Sequence, residues 1–164
     1  MIETKPAELF TWNDSYKVGV EEIDSQHKEL VRLLNELHVS IREHHGSATS
    51  REILNQLVDY TRTHFMVEES LMRVSAYPEM QAHKHQHETL IEQVRALQEK
   101  LDSGVASISF ELLHFLKRWL MHHINGDDKQ FGAYFQQSKG APQTGTAPGE
   151  KAPRSWWSRV WQAD

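Results

Sequence analysis

Cysteine is absent from the 164-residue sequence, and its absence excludes disulfides, thiolate metal sites and cysteine nucleophiles. Apolar runs are also short, and none approaches the ~18 residues that a membrane-spanning helix needs. The first ten residues, MIETKPAELF, lack the basic and apolar regions of a secretory signal. A formal net charge of −5 argues against nucleic acid as a partner. We therefore expect a cytoplasmic protein with one folded domain, no transmembrane segment and no nucleic-acid partner.

Alternating strand patterns are missing as well. Apolar residues instead recur at spacings of three and four, as they do on one face of a helix. Four such stripes cover residues 23–41, 53–71, 80–101 and 113–134. Gly46 and Pro78 lie in two of the short breaks between them. Amphipathic helices joined by short loops predict an all-α fold, an up-down-up-down four-helix bundle.

We assign residues 1–137 to the bundle and its N-terminal arm. Residues 138–164 differ from them in composition. The stretch SKGAPQTGTAPGEKAP is rich in Gly, Pro, Ala and Thr and predicts a flexible linker. It leads to RSWWSRVWQAD, a Trp-rich end. Trp and Arg are frequent anchors at protein interfaces, and Trp also favours the membrane surface. This flexible C-terminal tail therefore predicts a protein partner, a membrane-surface contact or no partner at all.

Histidine is the residue type that bulk composition does not explain, with eleven copies. Every stripe carries histidine at a position that the pattern reserves for an apolar residue. One such histidine is more often a hydrogen-bonded core residue than a ligand. In an up-down-up-down bundle, however, the starts of odd helices and the ends of even helices lie at the same end. The stripe histidines therefore fall in one layer, and they are His27, His64, His83, His87 and His123.

Carboxylates accompany this histidine layer. Glu68 lies one helical turn after His64, and Asp127 or Asp128 follows His123. Burying imidazoles and carboxylates together is unfavourable unless they pair or hold a metal. Without sulfur, these ligand types suit iron, zinc, copper or manganese. Seven donor side chains exceed the needs of one tetrahedral zinc, and they match two metals that share bridging ligands.

The other histidines lie outside the apolar stripes. His85 lies two residues from both His83 and His87, so it points about 200° around the helix from them. We expect it at the surface. The same expectation applies to the five that remain, His38, His44, His45, His114 and His122.

The order of these donors resembles that of the bacterial single-domain hemerythrins over residues 12–135. The motifs are VGVEEIDSQHKEL around His27, HFMVEESLM from His64, HKHQH from His83 and WLMHHINGDDKQF from Trp119. The combined pattern of His, His-x3-Glu, His-x3-His and His-x4-Asp is specific, whereas any one pair would be weak. The resemblance implies a helical bundle with a non-haem di-iron centre that binds O2 reversibly.

A role for each donor follows from the same resemblance. One iron is held by His83, His87 and His123, the other by His27 and His64, and both are bridged by Glu68, Asp128 and one oxygen atom. A single coordination position then stays open on the iron with two histidines, and O2 binds there. Helical periodicity alone instead favours Asp127, four residues after His123, so Asp127 remains the alternative to Asp128.

Apolar side chains near the donors are candidates for the wall of an O2 pocket. They are Phe65, Trp119, Leu120 and Ile124, although ordinary core packing explains them equally well. The expected function is O2 carriage, storage or local supply, and not catalysis. The alternatives are a di-iron oxidase or peroxidase, a nitric oxide-handling enzyme, or an O2- or iron-sensing module.

Overall fold

The computed structural model describes residues 7–104 and 107–140, and these residues form helices without a strand. The helices are α1 (Glu21–Arg42), α2 (Ser47–Val74), α3 (Met80–Asp102), α4 (Phe110–His123) and α5 (Lys129–Gly140). A 3-10 turn, Asp14–Tyr16, precedes α1, and a π-helical turn, Ile124–Asp128, joins α4 to α5 without a break. None of these helices is both long and apolar enough to cross a membrane. The predicted all-α fold is confirmed.

The fourth predicted helix is one continuous rod made of α4, the π-helical turn and α5. This rod extends to Gly140, three residues past the boundary expected at Gln137. Residues 141–164 lie outside the described part of the chain, and most of the predicted linker and the whole Trp-rich end lie there. The proposed division of the chain at residue 137 therefore stays a prediction.

Side chains at the stripe positions form the core. Helix α1 packs against α2 and α4, and α2 packs against α3. Between them lie Ile23, Leu37, Leu54 and Leu113, each at most 1% exposed. Removing apolar surface from water contributes about 25 cal/mol per Å², so this core supplies the main stabilisation of the up-down-up-down bundle.

The chain before α1 and helix α5 together close one end of the bundle. Asp24, in the first turn of α1, accepts hydrogen bonds from the backbone N–H groups of Val18 (2.7 Å) and Gly19 (3.2 Å). Gln136 donates to the carbonyl oxygen of Gly19 at 2.7 Å. A Cβ at Gly132 would collide with the carbonyl oxygen of Val18, so glycine permits this close approach. These contacts hold α5, and the π-helical turn before it, against the start of α1.

Candidate metal centre

Five histidine side chains meet at the closed end of the bundle. Helices α1 and α3 contribute them near their starts, and α2 and α4 contribute them near their ends, because neighbouring helices run in opposite directions. Each is at most 3% exposed, and they are His27, His64, His83, His87 and His123. The structure thus places all five in the single layer that the topology predicts.

Asp128 lies between two subsets of these histidines and is fully buried. Its Oδ2 atom lies 2.8 Å from Nε2 of His27. Its Oδ1 atom lies 3.0 Å from Nε2 of His83 and 2.9 Å from Nε2 of His123. The carboxylate therefore presents one oxygen to each subset, as a carboxylate that bridges two metal ions must do.

Glu68 is the second fully buried carboxylate of the cluster. Its Oε2 atom lies 3.3 Å from Nε2 of His87. The same oxygen lies 3.6 Å from Nε2 of His64 and 3.6 Å from Nε2 of His83. Glu68 therefore also faces histidines of both subsets.

Two overlapping groups of donor atoms result from this geometry, and the atoms within each group lie within 4.8 Å of one another. The first group, the three-histidine position, consists of Glu68, His83, His87, His123 and Asp128. The second group, the two-histidine position, consists of His27, His64 and Asp128. Asp128 belongs to both groups, so two cations bound there would share a ligand.

Buried polar atoms normally have hydrogen-bond partners, and many atoms of this cluster lack one. The contacts given above are short, but most of them do not have hydrogen-bond angles. The atoms without a partner include both oxygens of Glu68, both oxygens of Asp128, and Nε2 of His27, His64 and His83. Leaving such groups unpaired in the interior is strongly unfavourable. Cations at the two positions, with these nitrogen and oxygen atoms as ligands, would satisfy them.

Two imidazoles of the cluster also face each other directly. Nε2 of His87 lies 3.0 Å from Nε2 of His123 in the buried interior. A proton on one of these two nitrogens makes the contact a hydrogen bond, and a cation between them would bind both lone pairs. Imidazole nitrogen without thiolate is a donor set that suits iron, zinc, copper and manganese.

The electrostatics of the cluster favour cation binding. Burial opposes ionisation of Asp128, but the charge of His123 and its neighbours holds the pKa of this carboxyl well below its usual range. Burial also opposes protonation of His83, yet the Asp128 and Glu68 carboxylates raise the pKa of His83 to about 9. Burial lowers the pKa of His64 to about 3. The carboxylate is thus ionised, while His64 stays neutral and has a lone pair for a metal.

The π-helical turn determines which aspartate joins the cluster. In an α-helix, the fifth residue after His123 would point away from it, whereas the wider π turn returns that residue to the same face. One i→i+5 bond, from the N–H of Lys129 to the carbonyl of Ile124, marks this turn. Asp128 is consequently buried, while Asp127 is 34% exposed with its Oδ2 atom 3.7 Å from Nδ1 of His123. The periodicity that favoured Asp127 assumed an α-helix that is not present here.

Acceptors behind two of the imidazole rings orient them. The Oε1 atom of Gln26 lies 2.7 Å from Nδ1 of His64, and the Oε1 atom of Glu69 lies 3.0 Å from Nδ1 of His87. An acceptor at Nδ1 keeps the ring proton there, and Nε2 is then free to bind a metal. Neither residue was predicted from the sequence, because each contacts a histidine on a different helix.

An apolar cavity of about 40 Å³ lies beside the cluster, where it reaches His64 and His123. This volume exceeds the ~10–15 Å³ that a cavity needs in order to hold one water molecule, so a diatomic molecule fits. Three of the four predicted wall residues, Phe65, Trp119 and Leu120, line it, whereas Ile124 is fully buried but does not. The remaining wall residues are Leu30, Leu34, Leu57, Thr61, Leu90 and Leu116.

Two aromatic rings of the wall also pack on the imidazoles. Phe65 stacks on His87 with ring centroids 3.7 Å apart, and Trp119 stacks on His123 with centroids 4.5 Å apart. These rings restrict the rotation of both histidines and separate them from solvent. The predicted wall residues therefore have a second role in holding the cluster.

Comparison with known proteins gives the family. A model of the Hemerythrin HHE cation binding domain matches residues 18–135. The chain belongs to the hemerythrin family. A bacteriohemerythrin of Stenotrophomonas maltophilia (strain R551-3) is 40% identical over 131 residues, which cover 80% of this chain and 82% of the relative. One from Methylococcus capsulatus is 32% identical over 125 residues, covering 76% and 95% respectively.

The solved structures agree with this assignment. A crystal structure of wild-type hemerythrin has a TM-score of 0.74 and 30% sequence identity, and the match covers 77% of this chain and 98% of that one. Myohemerythrin is itself a standard example of an up-down-up-down bundle. The resemblance inferred from the four histidine motifs is confirmed. Family membership and the buried cluster together point to a metal-binding site in this hemerythrin.

The histidines outside the hemerythrin cluster are mostly where the stripes predict. Those that lie exposed at the surface are His44, His45, His85, His114 and His122. His38 differs, because it is half-buried and its Nδ1 atom lacks a hydrogen-bond partner. Its ring packs edge-on against Phe110, with centroids 6.2 Å apart. His38 therefore lies at the surface, as expected, but is only partly exposed because the Phe110 ring packs beside it.

Proposed function

We propose that this hemerythrin binds O2 reversibly at two iron ions and acts as an oxygen carrier, store or local supply. The observation that carries the proposal is the position of Asp128, whose two buried oxygens face separate groups of histidines. Imidazole and carboxylate donors without sulfur support iron by ligand type. Iron is also the metal typical of the family.

The donor side chains divide between the two ions according to the two groups of atoms. The three-histidine position would hold one iron through His83, His87 and His123, the two-histidine position would hold the other through His27 and His64, and Glu68 and Asp128 would bridge them. When bound, two ferrous ions would supply the two electrons and the open coordination position that reversible O2 binding requires. The two-histidine position has fewer protein donors, so the open position belongs there.

The cavity beside His64 supports binding in preference to catalysis. Its wall is apolar apart from Thr61 and the imidazoles of His64 and His123. The Thr61 hydroxyl donates to the carbonyl oxygen of Leu57 at 2.7 Å, so its proton is already engaged. An apolar wall without a free hydroxyl group limits proton delivery to O2. Release of unchanged O2 is therefore favoured over its reduction.

The proposal is tested by cycling the protein between oxygen and argon. The full-length protein is loaded with iron, its metal content is measured, and it is reduced anaerobically before O2 is admitted and removed. We expect two irons per chain and a visible absorption band that appears with O2 and disappears without it over repeated cycles. Protein stripped of iron by a chelator is the control and should show no band.

Two results would contradict the proposal. A band that bleaches irreversibly at each exposure, while an added electron donor is oxidised, would identify a di-iron oxidase or peroxidase instead. A single zinc per chain without iron uptake would remove the di-iron centre altogether. The cytoplasmic location, and a protein or membrane-surface partner for residues 138–164, stay predictions from the sequence.

A further inference from the structure

The two metal positions differ in what lies behind their histidine rings. At the three-histidine position, a carboxylate oxygen of Glu69 lies 3.0 Å from Nδ1 of His87. At the two-histidine position, the corresponding acceptor for His64 is the amide oxygen of Gln26, at 2.7 Å. The buried Nδ1 atom of His27 has no partner among the described residues. The three-histidine position therefore has a charged hydrogen-bond acceptor behind His87. The two-histidine position has a neutral acceptor behind His64 and, in the described part of the chain, none behind His27.

The orientation of the Gln26 amide is itself determined by a neighbour. Its Nε2 atom donates to Oε1 of Glu22 at 2.9 Å, so its oxygen must face His64. Gln26 is only 4% exposed, which leaves little room for the amide to turn over. His64 is thus held with its proton on Nδ1 and its Nε2 atom towards the cluster.

The charge of the acceptor affects how strongly an imidazole binds a metal. A carboxylate that accepts the Nδ1 proton forms a stronger hydrogen bond than a neutral amide does. This bond increases the electron density of the ring, and Nε2 becomes a better donor. Asp127 adds further negative charge behind the same position, since its Oδ2 atom lies 3.7 Å from Nδ1 of His123. The carboxylates behind the rings thus favour a cation at the three-histidine position.

We propose that Glu69 and Gln26 are positioning residues that make the two metal positions unequal in affinity. Glu69 strengthens the three-histidine position, which fills first, and Gln26 supports the two-histidine position, which fills second and releases its metal first. The inference rests on the two-metal centre of the proposed function. It adds that the chain passes through a half-loaded state with one metal.

The test is a titration of the metal-free, full-length protein with Co²⁺ under anaerobic conditions, in competition with a chelator. Visible absorption of the bound cobalt reports each step. The unaltered protein should bind two cobalt ions with two separate dissociation constants. Glu69→Gln keeps the shape and the acceptor but removes the charge, so it should weaken the tighter step by roughly 10–100-fold. The weaker step should not change.

Gln26→Leu tests the same proposal at the other position. It removes the acceptor from His64, so it should weaken the second step by roughly 10-fold or more and leave the first step unchanged. Circular dichroism of each metal-free variant checks that the bundle is formed. If one variant does not fold, the other still decides the proposal, since each predicts a change in a different step.

Glu92→Gln is the matched control for charge. Glu92 is an exposed carboxylate that lines the same groove between α2 and α3 as Glu69. Removing its charge should leave both dissociation constants unchanged. Equal weakening by Glu69→Gln and Glu92→Gln would show a diffuse electrostatic effect and overturn the proposed positioning role. No effect of Glu69→Gln on either step would overturn it as well.

Proton NMR of the cobalt-loaded protein provides a signal that a purely structural role would not change. The exchangeable Nδ1 protons of metal-bound histidines appear far outside the normal range. Glu69→Gln should shift the signal of His87 and leave that of His64 in place, whereas Gln26→Leu should do the reverse. Uptake of only one cobalt would overturn both the inference and the di-iron centre. Two-step uptake without reversible O2 binding by the iron form would overturn the proposed function alone.

Discussion

The two ends of the bundle consist of the same kind of helical stripe, yet their buried polar groups differ. At the end where α1 finishes and α2 begins, the hydroxyl groups of Ser40 and Ser50 lie 2.9 Å apart and satisfy each other. Leu37, Leu54 and Leu113 surround that end and are at most 1% exposed. At the opposite end, both oxygens of Glu68 and of Asp128 and several imidazole nitrogens are buried without a hydrogen-bond partner among the residues that the structure describes.

The polar groups at the first end belong to the packing of the bundle, whereas those at the second end indicate a functional site. A polar pair that satisfies itself has little effect on stability, whereas unpaired buried charges destabilise a fold unless something neutralises them. The first end therefore needs nothing beyond its own side chains. At the second end, a cation would neutralise the carboxylates and bind the imidazoles, so that metal binding and folding stability are coupled there. The following predictions test this contrast, from the largest expected effect to the smallest.

Asp128→Ala should have the largest effect, because Asp128 faces both metal positions. We expect the variant to lose both irons and the O2-dependent absorption band, as measured by elemental analysis and visible spectroscopy. Asp127→Ala is the matched control, one residue away and partly exposed. It should keep its iron, with at most a modest loss of affinity. The reverse result would mean that α-helical periodicity identifies the ligand better than the π-helical turn does.

Leu54→Ala should affect the other end of the bundle alone. Leu54 is 1% exposed, and a cavity of this kind typically lowers the free energy of unfolding by about 2–5 kcal/mol. Denaturant unfolding of the metal-free protein measures this loss. Iron content and the O2 spectrum at low denaturant should not change, since no ligand is near. A loss of iron in this variant would show that the two ends are coupled after all.

Metal uptake by the metal-free protein should release protons at neutral pH. The neighbouring carboxylates raise the pKa of His83 to about 9, so its proton must leave before Nε2 can bind a metal. His64, whose pKa burial lowers to about 3, is already neutral and releases none. Proton release by His83 should therefore be large near pH 7 and vanish as the pH rises above about 9. Calorimetric titration with Co²⁺ in two buffers of different ionisation enthalpy measures it, and equal heats in both would contradict it.

The direction of the pKa shift of His83 also predicts how the stability of the metal-free fold depends on pH. The pKa of His83 is higher in the folded state than its ordinary value of about 6.5. Its stabilising contribution is therefore complete below about pH 6.5 and is lost as the pH rises through about 9. Unfolding measured across this window should show the loss in metal-free protein. His83→Gln should reduce it, and the remainder comes from His123, whose pKa Asp128 and its neighbours also raise despite burial.

His85→Ala should have the smallest effect, although His85 lies between two residues of the cluster in the sequence. Its side chain is exposed, whereas His87 is 1% exposed and stacks on Phe65. Iron content and O2 binding should be unchanged in His85→Ala, and His87→Ala should lose the metal of the three-histidine position. Iron loss in both variants would show that the surface histidine also takes part.

Much of the fold could be predicted because the residues that a helix buries recur with the helical period, and this recurrence is visible in the sequence. The stripe at residues 23–41 predicted α1, which spans Glu21–Arg42. His27 and His64 were placed in one layer by topology, since both interrupt an apolar stripe at the same end. Asp128 needed the resemblance to a family motif, because a simple period of 3.6 residues points to Asp127.

Other parts of the site could not be predicted from local patterns. Gln26 and Glu69 lie at positions that the apolar stripes do not mark. The role of each depends on its contact with a histidine of another helix. The cavity wall combines Leu30, Leu57 and Leu90 from three helices with residues of α4. Each of these leucines looks like ordinary core in its own segment.

The sequence by itself determined that the chain forms amphipathic helices and that five histidines and a carboxylate share one buried layer, because periodicity and polarity are local properties. The division of these donors into two positions was implied only by the family resemblance, and the tertiary structure brings the donor atoms together in two matching groups. Asp128 reaches between them because the π-helical turn adds a residue to the helix and because α5 is held against the start of α1. The difference between a carboxylate behind His87 and an amide behind His64 also arises only where helices meet, since hydrogen bonds depend on distance and direction between segments far apart in the chain.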